Sequence, residues 1–403
     1  MTNEVKNVPE LRFPGFKDEW GSIELGNIAE NYTGGGTPST KVKEYWEGNI
    51  PWIQSSDLKI DDVKNVEFHK YINSVAIENS SAKLIPENSI AIVTRVGVGK
   101  LALIRDEFST SQDFLSLSNL LIDTNYALYA LYKLIRKEST KLQGTSIKGL
   151  TKNDLLRKQI KKPLDINEQE QIGYFFSKLD RQIELEEQKL TKLEEQKKGY
   201  MQKIFSQELR FQDENGADYP NWKKKTIKEL ANLTAGKSKK NENKGKYIIM
   251  DMGTVTKNGT MLTHKSTRYE SDLLNKGDLV MPKDDIGGGH IIGKTVFIPE
   301  SHKYVLGDHV YRLEIKKCNS LFLHYYINSD IVNHSLKRKV TGSAQLGLNR
   351  KSVEEEVIKT PCLEEQGKIG NLFNKIDNLI EQQIDKIELL KQRKQGLLQK
   401  MFV

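Results

Sequence analysis

The chain has 403 residues, enough for two or three domains at roughly 150 residues each. Hydrophobic residues make up 37% and charged residues 29%, which suits modest cores joined by long, charged helices. A formal charge of +8 and a pI near 9.0 favour an anionic partner such as nucleic acid. Two cysteines without metal-ligand spacing argue against a disulfide scaffold, and no apolar run approaches the ~20 residues of a membrane helix. Met1–Glu10 lacks the apolar core of a signal peptide, so a cytoplasmic location is expected.

In chain order, Leu11-Arg12-Phe13, Trp20 and Ile23–Ala29 precede a first globular segment. Its short β-type runs Ile50–Ile53, Ser89–Val96 and Leu101–Ile104 alternate with turns such as Thr33-Gly34-Gly35-Gly36-Thr37-Pro38. Tyr126–Ile135 carries helical apolar spacing. A related series, Leu209-Arg210-Phe211, Trp222 and Ile227–Ala231, opens a second segment. That segment has strands at Tyr247–Met250, Asp278–Met281 and Thr295–Ile298, and a helix starting at Leu321–Ile327. Each segment closes alike, with Gly144-Thr145-Ser146 to Gly149-Leu150 matching Gly342-Ser343-Ala344 to Gly347-Leu348.

Each segment ends in a long helical stretch, and the two stretches are copies. Glu168-Gln169 through Phe205 lies on Glu365-Gln366 through Phe402 at one constant offset without a gap. Their apolar residues follow the 3–4 spacing of a coiled-coil seam. The expected architecture is α+β: two globular domains separated by a pair of long antiparallel coiled-coil helices, in pseudo-two-fold repeat. The expected divisions are 1–160, 163–207, 208–359 and 361–403.

The polar breaks in the seam predict orientation. A parallel pair would set Lys197 against Lys394, two like charges desolvated together. The antiparallel alternative pairs Glu186 with Lys394 and Lys197 with Gln383. It leaves the apolar layers Ile183/Leu397, Leu190/Leu390, Leu193/Ile387, Tyr200/Ile380 and Ile204/Ile376. A helix of about forty residues spans ~60 Å, enough to place one domain on each of two DNA half-sites ~34–36 Å apart.

The ordered, duplicated set, with Pro9-Glu10-Leu11-Arg12-Phe13-Pro14-Gly15-Phe16, Gly35-Gly36-Thr37-Pro38-Ser39, Tyr45-Trp46 and Ile50-Pro51-Trp52-Ile53, resembles the specificity subunits of type I restriction–modification enzymes. The resemblance covers essentially the whole chain. It implies a non-catalytic subunit whose two target-recognition domains each read half of a bipartite, asymmetric site on double-stranded DNA. The helical pair would set the spacer and dock two modification subunits, which carry S-adenosylmethionine and methylate adenine. Two restriction subunits, translocating nucleases using ATP and Mg, would complete the restricting enzyme. No cofactor or metal is expected in this chain. The second segment lacks Gly-Gly-Thr-Pro-Ser and offers Ala235-Gly236-Lys237-Ser238 instead.

Base edges are read by Arg, Lys, Asn, Gln, Ser and Thr on loops. The candidates in the first domain are Thr33, Gly35, Thr37 and Ser39 of one loop, with Gln54, Arg95, Lys100, Gln112 and Lys148. In the second they are Lys237, Lys239, Lys240, Lys283, His290, Lys294 and Gln345.

Three rival readings compete. Gly288–Thr295 satisfies the phosphate-loop pattern, but Thr295–Pro299 reads as a strand where that chemistry needs a helix. Asp284 with Glu314-Ile315-Lys316 imitates a nuclease site, yet Glu-x-Lys also occurs at Glu187–Lys189 and Glu195–Lys197 on the long helix. A self-contained methyltransferase is weighed with the nuclease as the same alternative, but no adenine-methyltransferase tetrad is present. A scaffold without DNA binding is the third alternative.

Overall fold

The computed structural model describes residues 7–142, 149–342 and 346–403. Contacts divide the chain into one unit of Met1–Glu186 with Lys386–Val403 and another of Glu187–Asp385. The elements of the first, in order, are β1 (Gly21–Glu24), β2 (Ala29–Gly34), β3 (Ile50–Ile53), β4 (Tyr71–Ile72), α1 (Ser74–Asn79), β5 (Ser89–Val93), β6 (Leu101–Ile104), β7 (Ser109–Thr110), β8 (Phe114–Leu120), α2 (Thr124–Leu142), α3 (Lys152–Leu156) and β9 (Gln159–Lys162). Helix α4 (Ile166–Phe205) begins in this unit and ends in the other. An antiparallel sheet runs β2-β8-β5-β6, and a second sheet runs β4-β3-β7 with β3 and β7 parallel. Strand β1 pairs with β9.

The elements of the second unit, in order, are β10 (Lys223–Thr226), α5 (Ile227–Leu230), β11 (Ala231–Ala235), β12 (Tyr247–Met250), β13 (Ser266–Thr267), β14 (Leu279–Pro282), β15 (Asp284–Asp285), β16 (Val296–Phe297), β17 (Tyr304–Leu306), β18 (Val310–Ile315), α6 (Ser320–Asn328), α7 (Asp330–Lys337), β19 (Leu346–Gly347), α8 (Arg350–Glu354) and β20 (Val357–Thr360). Helix α9 (Leu363–Met401) follows and ends in the first unit. The sheets are β11-β18-β14-β16 and β13-β12-β17, with β12 and β17 parallel, β10 pairs with β20, and β15 pairs with β19, a ribbon that has no counterpart among the described residues of the first unit. Despite losing the Gly-Gly-Thr-Pro-Ser phrase, the second unit keeps the strand order of the first. The single helix α2 is matched by α6 and α7, divided at Ser329.

The unbroken apolar run of β5 is explained by burial on both faces. Ile90 and Ile92 enter the core shared with α2, whereas Ala91 and Val93 enter a second core with Ile53, Phe108 and Phe114. Strand β14 does the same, with Leu279 and Met281 on one side and Val280 on the other.

In each unit a helix end from the other copy of the repeat completes the main core. Phe402 stacks on Tyr126 at 5.3 Å and lies 5.7 Å from Phe176. Phe205 stacks on Tyr326 at 4.5 Å and lies 5.7 Å from Phe373. The repeated Glu-Gln signature is equally structural. Buried Glu168 takes two hydrogen bonds from Arg12 at 2.7 and 2.8 Å, and Glu365 takes two from Arg210 at 3.1 and 2.7 Å. Gln169 and Gln366 donate to the carbonyls of Pro163 and Pro361. These bonds fix the chain entering each long helix.

Within the first unit, α4 and α9 run antiparallel, with Asp180 paired to Lys394 and Glu186 to Lys386. Within the second, Lys197 pairs with Asp377. This corrects the expected register. Lys394 was to meet Glu186 and Lys197 was to meet Gln383; each lysine instead meets the repeated aspartate. Asp180 stands nearly two helical turns before Glu186. The cause lies outside the helical pair. Tyr129 and Tyr325 donate hydroxyl protons to Asp180 and Asp377 at 2.6 and 2.8 Å, and both lysines sit over those rings. The aspartate, the lysine and the tyrosine are therefore satisfied together.

Of the expected seam, Ile183, Gln383, Ile387 and Lys394 are buried, and Glu186, Leu190, Leu193, Lys197, Ile380, Leu390 and Leu397 are half-buried. Tyr200 departs from the expectation. It is 42% exposed, and Met201 packs against the core in its place, beside Ile204.

Candidate nucleic-acid interface

Strands β3 and β7 are parallel, so their carboxyl ends open on the same side. The residues that follow them, Gln54 and Ser111-Gln112, therefore emerge together. The loop after β2 closes over this edge. Gly36 N–H donates to the Thr110 carbonyl at 2.8 Å, and Trp52 Nε1 donates to the Gly36 carbonyl at 3.0 Å. A Cβ at Gly35 would come within 2.0 Å of the Ser111 carbonyl, so only glycine permits this approach. Thr37 Oγ1 donates to Gln112 Oε1 at 2.6 Å. The result is a concavity of about 390 Å³ whose lining includes Thr37, Trp46, Gln54, Lys70 and Gln112. Lys70 Nζ lies 5.4 Å from the Trp52 ring and 5.9 Å from the Trp46 ring, held by the ring faces.

The structure thus brings together Gly35, Thr37, Gln54 and Gln112. Thr33 lies half-buried on β2, and exposed Ser39 gives its carbonyl to Trp46 Nε1 at 3.2 Å. Lys100 Nζ is held by the Ser55 carbonyl at 2.7 Å, next to Gln54. Arg95 is exposed on the β5–β6 connection. Lys148 and Gln345 lie outside the described residues.

The second unit builds the same edge from β12 and β17. Gly307 N–H donates to the Met250 carbonyl at 2.8 Å, as Ser111 N–H does to Ile53 at 2.9 Å. A Cβ at Gly236 would strike the Gly307 carbonyl at 1.7 Å, so the β11 loop sits as closely as the β2 loop. Lys237 and Lys240 are exposed on it. Lys239 is not, because it is tied to Asp272 and to Ser271 at 2.7 Å. Lys283 lies 3.5 Å from Asp284, which His309 also holds at 2.7 Å. His290 is exposed at the tip of a glycine loop whose amides at Gly287 and Ile291 donate to Asp285. Lys294 turns inward: its ammonium donates to the Asn328 carbonyl at 2.9 Å, and burial lowers its pKa.

The rival motifs lose their geometry. Gly288–Thr295 runs into strand β16 with no helix behind it, and the Gly293 and Lys294 amides donate within the unit. Thr295 Oγ1 is occupied by His324 Nδ1 at 3.1 Å. Asp284 is bound by His309 while Glu314 accepts from Asn232 at 3.1 Å, so the two carboxylates are engaged separately.

Lys70, Asp251 and Lys265 stand on these same edges and are not among the sequence candidates. Asp251 follows β12 as Gln54 follows β3, at the same offset that relates the long helices. That offset, applied to the globular segments, was the signal that could have found it.

Comparison with known proteins decides the family. Residues 17–195 and 219–389 each match the type I restriction modification DNA specificity domain. The chain belongs to that family. Its curated relatives include the specificity subunit of the type I restriction enzyme MjaVIII from Methanocaldococcus jannaschii, 26% identical over 98% of this chain and 94% of that one. Another is the EcoR124I/EcoR124II specificity subunit of Escherichia coli, 35% identical over 42% of this chain and 43% of the relative. The S subunit of a type I system from M. genitalium shares the fold, with a TM-score of 0.62, 18% identity, and coverage of 98% and 99%. The chain is thus a type I specificity subunit, and each matched stretch is a DNA-specificity domain. Among the described residues no helix is long and apolar enough to cross a membrane.

Proposed function

We propose that this chain is the DNA-reading, non-catalytic subunit of a cytoplasmic complex. It binds double-stranded DNA, each unit reads one half of a bipartite, asymmetric target, and the antiparallel helices set the spacer. Two modification subunits dock on the helices and bring S-adenosylmethionine for adenine methylation. Two restriction subunits bring ATP- and Mg-dependent translocation and cleavage. The observation that carries this reading is one topology used twice with different residues on corresponding loops, such as Gly35-Gly36-Thr37 against Gly236-Lys237.

Chemistry and recognition then reside in different chains. The purified subunit incubated with S-adenosylmethionine, or with ATP and Mg, is expected to turn nothing over. Adding modification subunits is expected to produce site-specific adenine methylation. Turnover by the isolated chain contradicts the proposal.

A further inference from the structure

The recognition edges of the two units are superimposable in their backbone bonding. Trp52 N–H donates to the Lys70 carbonyl at 2.9 Å, and Ile249 N–H donates to the Lys265 carbonyl at 3.1 Å. After each strand the chain makes one capped turn. Gln54 N–H donates to Asp57 Oδ2 at 2.9 Å, and Asp251 N–H donates to Thr254 Oγ1 at 2.9 Å. Gln54 with Lys70 therefore occupies the place of Asp251 with Lys265. The frame is held constant while the side chains change. In the first unit Lys70 has no carboxylate partner among the described residues and lies over two tryptophan rings. In the second, Lys265 Nζ sits 2.6 Å from Asp251 Oδ2, and Asp251 Oδ1 caps the turn at Gly253.

We propose that these two positions are the equivalent base-reading pairs of the two units, Gln54 selecting an A·T pair and Asp251 with Lys265 selecting a G·C pair. The inference rests on the reading that each unit binds a duplex half-site. A primary amide offers one donor and one acceptor, matching adenine N7 and N6 in the major groove. A carboxylate accepts from cytosine N4, and an ammonium donates to guanine O6 and N7, so an adjacent Asp–Lys pair matches both partners of one base pair. Thr37, by holding the Gln112 amide beside Gln54, positions a second amide in the first unit. The corresponding residue of the second unit, directly after Gly307, is Asp308. Both amides of one unit are thus carboxylates in the other.

The test uses the full chain assembled with its modification subunit and a random duplex library. Gln54→Glu is isosteric and replaces the amide donor with an acceptor. It is expected to shift one position of one half-site from adenine to cytosine by about tenfold or more, leaving the other half-site unchanged. Asp251→Asn keeps the capping oxygen and is expected to cost about tenfold of G·C preference at one position of the other half-site. An unchanged consensus in both variants, or a uniform loss of affinity across all sequences, overturns the inference. A wild-type complex that selects no bipartite site sinks the underlying reading as well; a bipartite wild type with unaltered variants sinks only the inference.

Discussion

Lys394 Nζ lies 2.5 Å from Asp180 Oδ1, and the pair is roofed by Tyr129, whose hydroxyl donates to the same carboxylate. Lys394 is nearly buried, so removing its charge leaves a carboxylate with one neutral donor in a poorly solvated place. Lys394→Met keeps the aliphatic stem and is expected to cost about 3 kcal/mol, the low end for breaking a buried pair. Lys197→Met removes the corresponding contact to Asp377, which is more exposed, and is expected to cost only about 1 kcal/mol. Urea unfolding of both variants checks the order; equal losses contradict it.

The repeated glycines of the long helices divide into two kinds. A Cβ at Gly173 would come within 2.6 Å of the Tyr126 amide nitrogen, and one at Gly370 within 2.9 Å of the Phe322 amide nitrogen. Gly173→Ala is therefore expected to destabilise by about 2 kcal/mol despite alanine's better helix propensity. Gly199 and Gly396 have nothing within 4 Å, so Gly199→Ala is expected to raise the isolated chain's stability by about 1 kcal/mol. Thermal melts with opposite signs confirm the distinction, and shifts of the same sign refute it.

Stability should fall in mild acid because of His324. Full burial, reinforced by Lys197 and Lys294, lowers its pKa to about 3. Below the unfolded value of ~6.5 the unfolded chain binds a proton that the folded chain does not. Stability is thus complete above pH ~6.5 and declines as pH falls toward the folded pKa, by about 2 kcal/mol at pH 5. His324→Gln is expected to flatten the decline between pH 6.5 and 5; an unchanged slope assigns the effect elsewhere.

The second unit's lysines separate by their present partners. Lys237 and Lys240 are exposed, and changing both to Gln is expected to reduce the salt dependence of DNA binding by ~0.9 log units per lost phosphate contact. Lys239→Gln is expected to leave that slope almost unchanged, since its ammonium is already held by Asp272. A larger effect at position 239 than at 237 and 240 contradicts the assignment.

Much of the fold was legible because local pattern and burial agree. Ile50–Ile53, Leu101–Ile104 and Tyr247–Met250 form the strands their β-branched and aromatic runs announce. The duplicated helices were legible because identity at a fixed offset needs no propensity argument. The register was not. Reading the seam as a closed system paired Lys394 with Glu186, whereas its true partners, Asp180 and Tyr129, include a residue from α2 that no helical periodicity connects to it. The edge proposed as the reader was legible in part as a cluster. Thr37, Gln54 and Gln112 converge, but Lys70 reaches them only through the β3–β4 pairing, and Lys294 turned inward toward the end of α6.

The central claim is that one frame carries two different readers. Mapping methylated adenines across the genome of cells with and without this gene tests it most directly. The account predicts gene-dependent methylation at two unlike half-sites separated by a spacer of constant length. A single contiguous motif, or no methylation that depends on the gene, would contradict it.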